Sequence, residues 1–184
     1  MTSAAEATIE REIDGTTIEY FDVDVAGDRV EQLMTELFTR HWADITVGPL
    51  IQGAVFEIRF AAAPAVTMLD GYLTVDVGAW HLHLCVNDHR ETTPEAAAVR
   101  RVGRAAFFRT HGGSHAPGTW GLRLWNGRRE QMTTVLFPSP YYDEAWNRLS
   151  APDWSKLELW EALRDRYAPG LSPRSGDQLS LPVS

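Results

Sequence analysis

A single cysteine, Cys85, is present among the 184 residues, and that scarcity excludes an intrachain disulfide. A reducing compartment is therefore expected, with the cytoplasm as the location. Cations are short as well: 17 Lys and Arg stand against 25 Asp and Glu, for a net charge of -8. A nucleic-acid partner would need a surplus of positive charge to displace counterions, so none is expected. No apolar run approaches the ~20 residues that cross a bilayer as a helix, so no membrane partner is expected either. The opening Met1-Thr2-Ser3-Ala4-Ala5-Glu6 lacks the basic start and apolar stretch of a signal peptide. Internal repeats are missing, as is the Gly-x-x-x-x-Gly-Lys pattern of a phosphate cradle.

What remains is ordinary globular material, 44% apolar and 23% charged, long enough to bury a core without staples. Residues 1–14 read as a flexible leader, 15–168 as a single α+β domain, and the Pro-, Ser- and Gly-rich 169–184 as a flexible tail. Thr17 to Val25 predicts a strand. A helix follows, opened by Asp28 with Glu31 three residues on, and Val30, Leu33, Met34, Leu37 and Phe38 give it one apolar stripe. Ala54–Phe60, Leu69–Val77 and Trp80–Val86 alternate as strands. Thr93-Pro94-Glu95 opens a long helix expected to reach about Arg109. Thr119–Trp125 and Gln131–Phe137 form a hairpin around Asn126-Gly127, which would set Arg123 against Glu130 as a cross-strand ion pair. A last helix begins near Ser155 and buries Leu157, Trp160, Leu163 and Tyr167. The order β-α-β-β-β-α-β-β-α implies a mostly antiparallel sheet with helices on one face, as a ferredoxin-like sandwich or a half-barrel.

The two strands around Gly78-Ala79 carry the most chemistry. Glycine in the first loop position suits a two-residue turn, which sets Asp76 opposite His81, Thr74 opposite His83 and Tyr72 opposite Cys85. One face then presents two imidazoles and a thiol where an exposed strand would ordinarily carry Thr, Lys or Glu. Residues two apart on a strand sit ~6.6 Å apart on one face, so His81 and His83 are able to converge on one metal. Two ligand sets follow. The preferred one joins His81 and His83 with Asp76 or Glu57, and with His41 or His89. The other uses His83 and Cys85 with His89. A trio of His81, His83 and Cys85 spans roughly 13 Å and needs a bulge. Against both stands the bland reading, in which the histidines are hydrogen-bonded groups of a packed or solvated strand.

Other candidates have simpler explanations. His41 ends the first helix, where it caps or joins a site. His111-Gly112-Gly113-Ser114-His115 reads as an exposed turn, and Arg100, Arg101, Arg104 and Arg109 as the solvated stripe of the second helix. Trp120, Trp125 and Trp154 are assigned to packing. His81-Leu82-His83-Leu84 lacks the hydroxyl residues and the second copy that two-histidine phosphoesterases need. A cupin's ligand set is only half present.

The segments Trp80-His81-Leu82-His83-Leu84-Cys85, His89-Arg90 and Trp120-Gly121-Leu122-Arg123-Leu124-Trp125-Asn126-Gly127 resemble an uncharacterised bacterial family. The resemblance covers about residues 40 to 137 and implies no known activity.

The function expected from the residues is a small metal-dependent enzyme acting on a small organic substrate. A divalent transition metal (Fe, Zn or Cu) would be held by His81, His83 and a carboxylate, with open positions for water or substrate. Arg59 would hold a substrate carboxylate, and Tyr72 would act as acid or donor. The rivals are a haem-binding protein with a His or Cys axial ligand, a non-catalytic domain whose polar face is buried in a homodimer, and a metal-free acid–base pair of His81 and Asp76.

Overall fold

The computed structural model describes residues 7–51, 53–88, 93–112 and 117–169. Twelve strands and three helices are found there: β1 Thr8–Arg11, β2 Thr17–Val23, α1 Arg29–Arg40, β3 Thr46–Gly48, β4 Leu50–Ile51, β5 Ala54–Val55, β6 Ile58–Arg59, β7 Ala65–Leu69, β8 Tyr72–Asp76, β9 His81–Cys85, α2 Pro94–Arg100, β10 Val102–His111, β11 Trp120–Asn126, β12 Gln131–Leu136 and α3 Glu158–Tyr167. The chain is α+β, and every strand pair among the described residues is antiparallel. A seven-stranded sheet runs β1-β2-β10-β11-β12-β3-β6, a three-stranded sheet runs β7-β8-β9, and β4-β5 is a separate hairpin.

One core joins these layers. Phe21, Phe107, Leu122, Leu124 and Val135 contribute one face of the large sheet, and Leu73, Val75 and Leu84 one face of the small sheet. The stripe Val30, Leu33, Met34, Leu37 and Phe38 of α1 and Trp160 and Leu163 of α3 fill the same core. The opposite face of the large sheet carries a smaller cluster of Ile18, Tyr20, Ala106 and Phe108. Each sheet therefore keeps an outer face, and both candidate sites lie on those faces.

Several elements differ from the sequence reading. The second helix stops at Arg100 rather than Arg109. Its start is as expected, with Pro94 in the first turn and Thr93 Oγ1 accepting from Ala96 N at 3.3 Å. From Val102 the chain is strand, because Ala105 and Phe107 enter the main core while Ala106 and Phe108 enter the second cluster. A run apolar on both faces fits the centre of a sheet and loses its helical stripe. Arg104 and Arg109 are consequently on opposite faces: Arg104 lies over Tyr20, and Arg109 over Phe21. The expected strand Leu69–Val77 is a hairpin, turned at Asp70-Gly71 with φ of 51 and 80°. Ala54–Phe60 breaks into β5 and β6. Thr8–Arg11, placed in the leader by sequence, pairs with β2 as an edge strand. The tail beyond Pro169 lies outside the described residues.

Glu36 ties α1 to α3. Arg166 Nη1 donates to its two oxygens at 2.7 and 2.9 Å, and Tyr167 Oη donates at 2.7 Å. Burial pushes the Glu36 carboxyl up, but the bonds from Tyr167 and Arg166 and the nearby charges outweigh it and hold the group below its ordinary value. A depressed carboxyl contributes stability above the unfolded-state pKa and loses it as pH falls through the folded-state pKa. Glu36→Gln is therefore expected to give a shallower loss of stability than the natural chain on acidification below about pH 4.3. Urea midpoints measured across that range check it; parallel acid limbs would show that Glu36 carries no such linkage.

Candidate functional site

The three-stranded sheet adopts the register predicted from the Gly78-Ala79 turn. Asp76 faces His81, Thr74 faces His83 and Tyr72 faces Cys85. Gly78 has φ 84°, and Val77 N donates across the turn to Trp80 O at 3.2 Å. The outer face thus carries Thr74, His81 and His83, with Tyr72 and Cys85 at its other end. Both imidazoles are exposed, their ring centroids 4.7 Å apart and tilted by 58°. His83 Nδ1 lies 2.8 Å from Thr74 Oγ1. In the tautomer with the proton on Nδ1 the hydroxyl oxygen accepts it, and the Nε2 lone pair points away from that bond. Cys85 is buried at 4% exposure, while Leu69 on β7, in the row of Tyr72 and Cys85, is 70% exposed.

Of the other members of the expected metal set, Asp76 and Cys85 share the sheet with the two imidazoles, while Glu57 and His41 come from other segments. Asp76 Oδ1 accepts from Gly78 N at 2.6 Å and so braces the turn. Glu57 is exposed between β5 and β6, beside the large sheet. His41 caps the end of α1, with Nε2 3.7 Å from Glu36 Oε1. His89 lies outside the described residues. Among the described residues no three His, Cys, Asp or Glu side chains are grouped to hold a metal ion. The expected Fe, Zn or Cu centre, and the metal-dependent enzyme built on it, are corrected accordingly. Two imidazoles share a face, but Asp76, directly across from His81, is engaged by its own turn, and Glu57 lies between β5 and β6. Arg59 and Tyr72 belong to different sheets, Arg59 to β6 of the large sheet, where its guanidinium stacks 4.7 Å from the centroid of Trp146.

The outer face of the large sheet holds a constellation that the sequence reading missed. Arg123 on β11 donates through Nη1 to Tyr20 Oη at 2.8 Å, and its guanidinium lies 4.7 Å from the Phe108 ring. Gly121 makes this packing feasible, because a Cβ there would come within 2.3 Å of the Phe108 ring. The expected partner Glu130 is absent from Arg123. The turn takes three residues, with Arg129 at φ 65°, and a register shift between Leu124 and Trp125 sets Arg123 opposite Thr134. Glu130 instead accepts from Asn126 Nδ2 at 2.7 Å. Burial pushes the Tyr20 hydroxyl up, against the lowering effect of Arg123. The signal in the sequence was an arginine alternating within Trp120–Trp125, a place where a cation needs a reason.

Residues 7–169 match a family of unknown function (DUF7676). No curated protein matches the chain. Among solved structures, one titled "Structure of the Heme Binding Protein ChuX" is similar at 13% identity and a TM-score of 0.50, over 80% of this chain and 76% of that one. A crystal structure of a protein from Erwinia carotovora is similar at 16% identity and a TM-score of 0.50, over 83% and 76%. These similarities concern the fold. No helix among the described residues is long and apolar enough to cross a membrane.

Proposed function

We propose, from the premise that the chain belongs to this family of unknown function, that it binds haem on the outer face of the three-stranded sheet, where His83 would hold the iron. The observation that carries the reading is the 2.8 Å contact between Thr74 Oγ1 and His83 Nδ1 on an exposed ring. A ligating histidine commonly has its second ring nitrogen bonded to a fixed acceptor, which sets the tautomer and orients the ring. An imidazole of this kind is a usual haem ligand, so the donor chemistry fits. The fold is shared with a structure named for haem binding, which supports the choice of cofactor. His81, 4.7 Å from His83 between centroids, adds a second imidazole to the face, and the exposed Leu69 adds apolar surface to it. When bound, haem would supply an iron centre open to redox or ligand exchange. The protein's own part is to orient one imidazole and hold its proton on Nδ1.

Titrating haemin into the purified chain while following the Soret band tests this. The natural chain is expected to saturate near one equivalent. His83→Ala is expected to weaken binding at least about tenfold, or ~1.4 kcal/mol, with His81→Ala affected less. Thr74→Val, which keeps the shape and removes the hydroxyl, is expected to fall between them. Equal affinity in the natural chain and in His83→Ala would remove His83 as ligand, and no Soret shift in any of them would end the haem reading.

A further inference from the structure

The outer face of the large sheet carries an open cavity of about 230 Å3 lined by residues that include Glu10, Glu12, Tyr20, Arg123, Trp125 and Arg129. Ligand pockets of drug-sized molecules run to about 300–1,000 Å3, so this one suits a small metabolite. Its charges are arranged unevenly. Arg104, which also lines it, is matched by Asp22 at 2.7 Å and Glu10 at 3.6 Å. Arg123 and Glu12 are not matched: among the described residues, neither has an oppositely charged group within 4.0 Å. They line one small cavity without pairing with each other.

Arg123 is further distinguished by what its donors do. One reaches the Tyr20 hydroxyl, and the Nε is buried with no partner among the described residues. Aromatic rings around a guanidinium soften its charge, yet they accept no in-plane hydrogen bond. Tyr20 uses its oxygen to accept from Arg123, which leaves its O–H to donate to an incoming anion. With the Nε sealed from solvent, a planar carboxylate meets the guanidinium at its Nη end. Glu12, exposed and lining the same cavity, calls for a cation. The indole of Trp125, half-buried and already stacked by the Arg104 guanidinium at 4.6 Å, adds aromatic surface to the lining.

We infer that this cavity binds a small zwitterion of the amino-acid class. Its carboxylate lies on Arg123 and the Tyr20 hydroxyl, its ammonium group on Glu12, and its side chain against Trp125. Arg129, in the β11–β12 turn, adds positive charge to the lining. The site is independent of the imidazole face and does not rest on the haem reading.

Three matched probes test it by calorimetry on the full chain: L-phenylalanine, 3-phenylpropionate without the ammonium group, and phenethylamine without the carboxylate. Phenylalanine is expected to bind saturably, and each truncated probe at least about tenfold more weakly, as one lost charge-assisted contact implies. Arg123→Lys is expected to weaken phenylalanine by a similar factor. Glu12 is exposed, so Glu12→Gln leaves the fold intact; it should reduce phenylalanine to the affinity of phenylpropionate and leave phenylpropionate unchanged. His83→Ala should bind all three probes as the natural chain does. Equal binding of the three probes, no saturable binding of phenylalanine, or full phenylalanine affinity in Glu12→Gln would each overturn the assignment.

Discussion

Gly71→Ala is expected to be the most damaging alanine substitution among the described glycines. A Cβ at that position would lie 1.0 Å from the Asn87 carbonyl oxygen and 2.2 Å from its carbon. The backbone there has φ +80°, which a residue with a Cβ adopts only under strain. Relief by movement is blocked, because Val86 N and Asn87 N both donate to Gly71 O at 2.9 Å. The turn and the segment leaving β9 are thus locked to each other, and a clash against main chain cannot be absorbed by a rotamer change. Effects above about 4 kcal/mol belong to a short list of mechanisms, and this position combines two of them, backbone strain and overpacking. Urea denaturation should show a loss of that order, accompanied by loss of haemin binding, since β8 and β9 carry Thr74 and His83. A loss under about 1 kcal/mol would mean that residues 86–87 give way freely, contrary to the packing described.

Trp160→Ala should rank next. The indole is 1% exposed and sits edge-on to Phe21 and Phe107, at centroid distances of 5.8 and 6.2 Å. Arg164 covers it at 4.8 Å, and its Nε1 donates to the Gly121 carbonyl at 3.0 Å. Truncating a buried aromatic of this size costs about 3–5 kcal/mol, part of it from the cavity left behind. Trp160→Phe separates the contributions. It retains most of the packing but leaves the Gly121 carbonyl without its partner, which costs about 1–3 kcal/mol. Equilibrium denaturation of both variants checks the order. If Trp160→Phe were as damaging as Trp160→Ala, the hydrogen bond rather than the volume would hold α3 to the sheet.

How far the sequence could be read follows from the range of the forces involved. The register of β8 and β9 was legible because a glycine turn and two alternating runs are local. The same rule applies at Asp70-Gly71, yet there Leu69, Leu73, Val75 and Val77 alternate straight through the turn and conceal it. The helix start at Thr93-Pro94 was legible from its cap, whereas its end was not. Val102 to Phe108 is apolar on both faces, and only partners on either side tell a central strand from a buried helix. At the candidate site, a common face for His81 and His83 could be deduced from alternation. Whether Asp76 would turn toward an ion or toward Gly78 N depended on a 2.6 Å bond within its own turn. Arg123 was misassigned for a similar reason, since one extra residue in the β11–β12 loop moved Glu130 out of reach.

The two outer faces are also assembled over very different spans of chain. The meander that presents the imidazoles is complete between Ala65 and Cys85, joined by two short turns. The cavity around Arg123 depends on β2 meeting β10, a union typified by the ion pair of Arg104 and Asp22, 82 positions apart. Contacts that close short loops form sooner than those that close long ones. A nascent chain therefore has the sequence for its histidine face before it has synthesised the strands that complete the arginine cavity.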